Sequence, residues 1–269
     1  MNAPPTLTDR AALARNRARA CDDAMFLHRA ALAEVKDRLE MVNRRFTKPA
    51  IVTGFPQIWA EFLPNARIVA DEEVLELAPG THDLVVHAMA LHWANDPVGS
   101  VIQCTRALVP DGFFLGASFG GETLAGLRAA LSEAESRVSG GVSPRVLPMA
   151  EIRDMGALLQ RAGLALPVAD STKQQVSYTD MFALMRDLRD MGEGNAMAER
   201  LRQPTARGVF DLAGEIYARN NPAADGRVLA HFEMIFLSGW APHESQQKPL
   251  RPGSAQISLV DVLETKKPH

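Results

Sequence analysis

His92 and Trp93 are the residues best suited to chemistry by type and position, because they follow an apolar run at residues 84–89. A run of this kind, bounded by polar residues, predicts a strand buried on both faces. Ligands of layered α/β proteins usually lie at the carboxyl ends of the strands. An imidazole there, with an ordinary pKa of about 6.5, suits a general base. We predict His92 as catalytic and Trp93 on the substrate side; the alternative for His92 is a hydrogen-bonded loop histidine.

Three histidines recur at intervals of five residues: His82, His87 and His92. Successive side chains along a strand point to opposite faces, so residues five apart lie on opposite sides of a sheet. The sequence also contains no Ser-His-Asp arrangement, phosphate loop or zinc-ligand spacing. We therefore predict no metal site.

Four further polar residues are candidates for the site. Glu122 follows two glycines at the start of a predicted helix, and we predict it as catalytic, with capping of the helix as the alternative. Tyr178 is predicted on the substrate side, at a hinge before a helical segment. Periodicity and packing do not explain His243 and Glu244. We expect the tail to close over the site, with His243 catalytic and Glu244 on the substrate side.

The segment around His92 predicts a β-α-β unit. Asp96 is a plausible N-cap, and Pro97 follows at the first helical position. The turn residues 110–112 are expected to end the helix and to lead into a second apolar strand at residues 113–118. Two parallel strands joined by a helix indicate a layered α/β domain.

The rest of the chain predicts helices and strands around this unit. An apolar stripe at three- and four-residue steps predicts helix over residues 8–43. β-Branched and apolar runs predict strands at residues 50–54, 67–70 and 227–240. The remaining predicted elements are helices at 122–138 and 148–162, a half-exposed strand at 164–178 and a pair of helices within 179–219. We divide the chain into an N-terminal helical extension, an α/β core, an inserted helical lobe and a last strand with its tail, at residues 1–48, 49–178, 179–226 and 227–269.

The composition excludes some function classes. A net charge of −3 and a pI near 6.2 give no long-range attraction for nucleic acid or anionic lipid. Two cysteines are too few for a disulfide framework. No apolar run reaches the length of a membrane span. We expect a cytoplasmic protein without a transmembrane segment.

Several stretches resemble a known family. The order of a strand near an acidic residue, then DLVVHAMALHW and ALVPDGFF, resembles the class I S-adenosylmethionine-dependent methyltransferases. Five later motifs resemble one branch, the methyltransferase-like assembly factor of respiratory complex I and its alphaproteobacterial relatives. These motifs are FGGETLAGLR at 119–128, GGVSPR at 140–145, MFALMRDLRDMGEGN at 181–195, GWAPHESQ at 239–246 and RPGSA at 251–255.

The resemblance implies a fold and an activity. The fold is a Rossmann-like class I methyltransferase sheet of seven strands with helices on both faces, an N-terminal helical extension and a late helical lobe. The implied cofactor is S-adenosyl-L-methionine, and the implied partner is a protein, such as a respiratory complex I subunit. The mitochondrial member is regarded as a protein-arginine hydroxylase.

The sequence departs from the family where the cofactor should bind. A glycine-rich turn is expected after the first strand, yet Gly54 is followed by Phe55 and Pro56. Two alignments of Asp71 are possible. In one, Asp71 ends the second strand and accepts hydrogen bonds from the ribose hydroxyls. In the other, one β-α unit has been lost, and Asp71 and Glu72 face the adenine. The residues predicted to contact the cofactor are Gly54, Asp71, Glu72, Ala88 and Met89.

Three functions are consistent with these observations. The first is an S-adenosylmethionine-dependent methyltransferase-like protein that acts on a protein side chain and is linked to complex I assembly. The second is a non-catalytic assembly or binding protein of the same fold that has lost cofactor binding. The third is a protein-arginine hydroxylase, which rests on the resemblance alone, because the sequence shows no two histidines and carboxylate in a recognisable iron-binding spacing.

Overall fold

A computed structural model describes residues 6–247. Six strands form one sheet in the order β2-β1-β3-β4-β6-β5. The strands are β1 (Pro49–Thr53), β2 (Arg67–Val69), β3 (His82–Ala88), β4 (Leu108–Phe119), β5 (Ala165–Tyr178) and β6 (Val228–Trp240). The helices are α1 (Arg10–Arg17), α2 (Phe26–Val42), α3 (Pro56–Trp59), α4 (Pro97–Ala107), α5 (Ala125–Ser139), α6 (Ile152–Arg161), α7 (Met181–Asp190) and α8 (Arg207–Asn220).

The predicted β-α-β unit is confirmed by β3, α4 and β4. The two strands pair in parallel, and the Asp96 side chain caps α4 by accepting from the Gly99 N–H at 2.8 Å. β4 begins earlier than predicted, directly after α4. The turn residues belong to the strand because the Gly112 carbonyl accepts from the Ala241 N–H at 2.8 Å, while the Asp111 N–H donates to the Ala241 carbonyl at 3.1 Å.

The first four strands in the sheet order are parallel, whereas β6 is antiparallel to both β4 and β5. β2 pairs directly with β1, and only residues 54–66 connect them. The described residues therefore form six strands, where the resemblance implies seven. This arrangement agrees with the alignment in which one β-α unit is missing.

Helices cover both faces of the sheet, as predicted. One apolar cluster joins the sheet to α2, α5, α7 and α8, and a second lies under α4 and α6. Residues 179–226, the predicted lobe, contain α7 and α8, whose apolar side chains join the first cluster. The division into four segments stays a prediction. No helix in the described range is long and apolar enough to span a membrane.

The prediction of one continuous helix over residues 8–43 was wrong in its middle. α1 ends at Arg17 and α2 begins at Phe26. Between them the Cys21 N–H donates to the Asp190 carbonyl at 2.7 Å, a tertiary contact that draws the backbone out of helical geometry. The break leaves α1 as a separate short helix.

Candidate functional site

An arginine of α1 lies over the carboxyl ends of β1 and β2. A Cβ placed on Gly54, directly after β1, would collide with the guanidinium of Arg17. The same guanidinium donates to both carboxylate oxygens of Asp71, from Nη1 to Oδ1 at 2.6 Å and from Nη2 to Oδ2 at 3.0 Å. The structure thus brings Gly54 and Asp71 to one edge, but Arg17 lies between them.

Asp71 is engaged within the chain. Its side chain is only 6% exposed, and Arg10 adds a second contact at 3.4 Å. Burial alone would raise the pKa of Asp71, but the hydrogen bonds and charge of Arg17, with the charge of Arg10, lower that pKa below its ordinary value. Asp71 is therefore ionised with both oxygens occupied. The neighbouring Glu72 is 65% exposed and lies 3.4 Å from Arg10.

Ala88 and Met89 lie at the carboxyl end of β3, and both are buried. Met89 has a positive φ of 50°, and its N–H donates to the Ala117 carbonyl at 2.9 Å. Two residues before Met89, the Nε2 atom of His87 lies 3.1 Å from the Ser100 hydroxyl. Burial lowers the pKa of His87 to about 4, so this histidine is neutral at neutral pH.

Little space for a cofactor remains at this edge. The cavity there has a volume of about 30 Å³, whereas small-molecule sites occupy roughly 300–1,000 Å³. The Phe55 ring is buried and lies 4.5 Å from the His28 ring and 5.4 Å from the Arg17 guanidinium. Side chains thus occupy the place where a class I methyltransferase needs open backbone. The residues at this edge do not fit S-adenosylmethionine.

A second group of polar side chains surrounds Glu193, in the loop after α7. Its Oε2 atom accepts from the Trp93 indole at 2.7 Å and lies 3.2 Å from Nε2 of His92. Its Oε1 atom lies 3.8 Å from Nε2 of His28 in α2. The side chains of Glu193, His92 and His28 are 5%, 1% and 0% exposed. The structure thus brings the predicted pair His92 and Trp93 to a buried carboxylate.

The charges in this group are set by competing effects. Burial alone would raise the pKa of Glu193, but the neighbouring His92 and His28 side chains lower it well below its usual range. Burial lowers the pKa of His28. Glu193 is therefore an ionised carboxylate held in an apolar surrounding, and His28 is neutral.

Two histidines and one carboxylate are the donor types of many non-haem iron centres. Over residues 6–247, however, no group of three or more His, Cys, Asp and Glu side chains is placed so that it could hold a metal ion. We describe the group as a hydrogen-bonded carboxylate site.

A cavity of about 140 Å³ lies beside Glu193, between the sheet, α5 and α7. Its walls are mostly apolar and include the rings of Trp93, Phe119 and Phe232. Its polar lining comes from Thr123, Arg145, Glu193 and Asn195. Arg145 and Asn195 are only half-buried, so the cavity reaches the protein surface at this rim.

Three of the five family motifs, together with Trp93, meet at this cavity. Residues 119–128 supply the wall formed by α5, residues 140–145 supply the rim, and residues 181–195 supply α7 and Glu193. The Asn195 side chain donates to the Pro144 carbonyl at 2.8 Å, which joins two of these motifs. Arg145 is held by Glu135, with Nη2 2.6 Å from Oε1. The resemblance is therefore concentrated around the cavity beside Glu193.

The structure places Glu122 and Tyr178 outside this cavity. The prediction that Glu122 begins or caps a helix was wrong, because α5 begins at Ala125 and the exposed Glu122 side chain pairs with Lys173 at 2.8 Å. The carboxylate of Glu233 holds the turn instead, accepting from the Glu122 N–H at 3.1 Å. The Tyr178 hydroxyl donates to Asp187 of α7 at 2.6 Å, a contact within the helical packing.

His243 and Glu244 lie away from both groups. They follow β6, whose end pairs with the beginning of β4, so they sit at the amino ends of the parallel strands. His243 contacts Ser245 of its own turn at 2.7 Å, and both predicted residues are exposed. The expectation that this part of the tail closes over the site was therefore wrong. The motif at residues 251–255 lies outside the described residues.

Sequence reasoning missed Arg17, His28 and Glu193. Glu193 lies inside a quoted family motif, which was the available signal, but nothing in its spacing relates it to Trp93. Arg17 and His28 lie within the segment predicted as one helix, and nothing in their spacing relates them to the sheet edge. Only the packing of α1 and α2 against the sheet edge brings them to the site.

The strand order, with an antiparallel strand inserted near one end of a parallel sheet, defines a class I methyltransferase fold. The family described as "Methyltransferase domain" matches residues 35–116. More specifically, the chain belongs to the methyltransferase-like family of arginine-hydroxylase NDUFAF5.

Curated relatives support this assignment. The chain is 37% identical to the mitochondrial arginine-hydroxylase NDUFAF5 of Danio rerio over 223 residues, which cover 83% of this chain and 69% of that protein. It is 40% identical to the human protein of the same name over 200 residues, which cover 74% of this chain and 58% of the human protein. It is also 33% identical to the malonyl-[acyl-carrier protein] O-methyltransferase of Laribacter hongkongensis over 188 residues, which cover 70% of this chain and 61% of that protein. The matched region thus spans 58–69% of the length of these three relatives.

Proposed function

We propose that this chain recognises an arginine side chain of a protein partner in the cavity beside Glu193, and that it does so during the assembly of respiratory complex I. The observation that carries the proposal is the convergence of three family motifs and Trp93 on this cavity. The name of these relatives, arginine-hydroxylase, indicates which side chain is recognised. The resemblance supplies the link to complex I.

The chemistry of the cavity fits a guanidinium. A guanidinium stays protonated, is planar, and binds carboxylates and aromatic faces. The cavity offers the ionised Glu193 together with the rings of Trp93, Phe119 and Phe232. Cations over such rings gain about 0.5–2 kcal/mol. The apolar wall formed by α5 suits the aliphatic stem of the arginine. Arg145 also lines the cavity, but Glu135 neutralises its charge.

A peptide-binding measurement tests this proposal. Peptides that cover the arginines of the organism's complex I subunits are each made with arginine and with citrulline, which is neutral and nearly isosteric. We expect fluorescence anisotropy to show binding of at least one arginine peptide, and at least tenfold weaker binding of its citrulline form. Glu193→Gln should abolish this preference, whereas Glu199→Gln, at an exposed carboxylate six positions away, should keep it. Equal binding of both peptide forms contradicts the proposal.

The second candidate is S-adenosylmethionine-dependent methyl transfer to a protein side chain. It is favoured by the methyltransferase-domain match and by the similarity to the Laribacter O-methyltransferase. The filled edge at Gly54 and Asp71 opposes it. Complementation of a deletion strain, followed by mass spectrometry of complex I subunits, separates the candidates. An added methylene favours methyl transfer and an added oxygen favours hydroxylation. No modification, with complex I still assembled, favours a non-catalytic assembly protein.

The same deletion strain tests the link to complex I. We expect reduced complex I activity that returns with the wild-type gene but not with Glu193→Gln. Normal activity in the deletion strain contradicts the link. The cytoplasmic location stays a prediction, and the curated NDUFAF5 relatives are named as mitochondrial.

A further inference from the structure

The N-terminal segment, residues 7–21, crosses the carboxyl edge of the parallel strands and is anchored along its length. The N–H groups of Leu7 and Thr8 donate to the Asn95 side chain at 2.9 and 2.8 Å. The Asp9 carboxylate lies 2.9 Å from Arg200. The Asn16 side chain donates to the Gly194 carbonyl at 2.9 Å. These contacts fix the segment against the loop after β3 and the loop after α7.

Arg17 is the part of this segment that enters the edge. Its side chain is 11% exposed, and its guanidinium fills the space over Gly54 while holding Asp71 by two hydrogen bonds. A Cβ on Gly192 would lie 3.1 Å from the Phe55 ring and 3.2 Å from Cα of Arg17. The loop after α7 therefore packs closely on both Arg17 and Phe55.

We infer that the N-terminal segment permanently occupies the sheet edge at Gly54 and Asp71, where the Arg17 guanidinium takes the space that S-adenosylmethionine would need. The protein therefore works without this cofactor. The segment does not behave as a lid for an empty site, because removing Arg17 would leave the buried carboxylate of Asp71 without its main partner. Breaking a buried pair by removing one partner is strongly destabilising. This inference does not depend on arginine recognition at Glu193. An experiment can therefore contradict either proposal without contradicting the other.

The first test is calorimetric titration of the full chain with S-adenosylmethionine and with S-adenosylhomocysteine. We expect no binding heat for the wild type up to about 1 mM ligand, and the same for Arg15→Ala, a change at an exposed arginine of the same helix. A wild-type dissociation constant in the micromolar range overturns the inference. Peptide binding at Glu193 is measured in a separate experiment. The titration result therefore neither supports nor contradicts the proposed arginine recognition.

The second test is a double-mutant cycle that reports whether Arg17 occupies the space over Gly54 in solution. Gly54→Ala should lower the melting temperature by roughly 5–10 °C, because the new methyl group displaces Arg17 from Asp71. In an Arg17→Ala background the same substitution should have little effect, since the space is then free. In an Arg15→Ala background the full loss should remain. Additive effects of Gly54→Ala and Arg17→Ala contradict the inference.

Discussion

The indole Nε1 of Trp93 donates to the Oε2 atom of Glu193 at 2.7 Å, across 100 positions of the sequence. Trp93 follows the central strand β3, and Glu193 follows α7 in the segment predicted as a lobe. This hydrogen bond therefore joins the sheet edge to the helical segment and fixes one wall of the cavity. Two other residues, His92 and His28, complete the surroundings of the same carboxylate.

Trp93→Phe should destabilise the protein more than Trp59→Phe. Both tryptophans are buried, but the Trp59 indole has no hydrogen-bond partner in the described part of the chain, whereas the Trp93 indole serves an ionised carboxylate. A hydrogen bond to a charged group contributes about 1.5–3 kcal/mol, which is several degrees in melting temperature. The two substitutions remove the same atoms, so the difference between them in thermal unfolding reports the hydrogen bond. Equal losses would contradict this role of Trp93.

The pair of Glu135 and Arg145 should stabilise the cavity rim in a pH-dependent way. Hydrogen bonding by Arg145 lowers the pKa of Glu135 from 4.5 to about 2. The pKa of Glu135 is lower in the folded state than in the unfolded state. The pair therefore contributes fully to the free energy of unfolding above about pH 4.5, and this contribution is lost as the pH falls towards 2.

The variant Glu135→Gln tests this expectation. Its melting temperature should lie below that of the wild type at pH 7, and the gap should narrow steadily between pH 4.5 and the acid limit of folding. Glu133→Gln is the matched control in the same helix, since Glu133 forms an exposed pair with Arg137. Exposed pairs contribute about 0–1 kcal/mol. A gap for Glu135→Gln that does not change with pH would rule out the proposed electrostatic origin.

Glu122→Gln should leave stability and peptide binding nearly unchanged. Its side chain is 56% exposed, and within residues 6–247 its ion-pair partner is Lys173. Glu233→Gln should have a larger effect on the same turn, because its buried carboxylate accepts from the Glu122 N–H, and the Thr123 hydroxyl is bonded to the Glu233 backbone. Hydrogen–deuterium exchange of residues 120–125 measures the difference. Faster exchange in Glu122→Gln than in Glu233→Gln would restore Glu122 as the residue that organises this turn.

Local patterns predicted the sheet better than they predicted the site. The β-α-β unit, the cap at Asp96, the half-exposed edge strand and the long last strand all follow from residue periodicity and turn chemistry. Asp71 and His92 were also recognised as residues of the carboxyl edge. The helix break before Phe26 and the location of His243 were not predicted, because both depend on contacts with distant segments.

The sequence by itself determined the class of fold, the family and the missing glycine-rich turn, because alternating burial, capping residues and motif strings are local properties of the chain. Only the tertiary structure decided that Arg17 fills the cofactor edge, and that His28, His92 and Trp93 surround Glu193. The physical reason is that the position of a buried charged side chain depends on the groups with which it forms ion pairs and hydrogen bonds. The packing of α1, α2 and α7 on one sheet edge selects these partners from positions up to 165 residues apart.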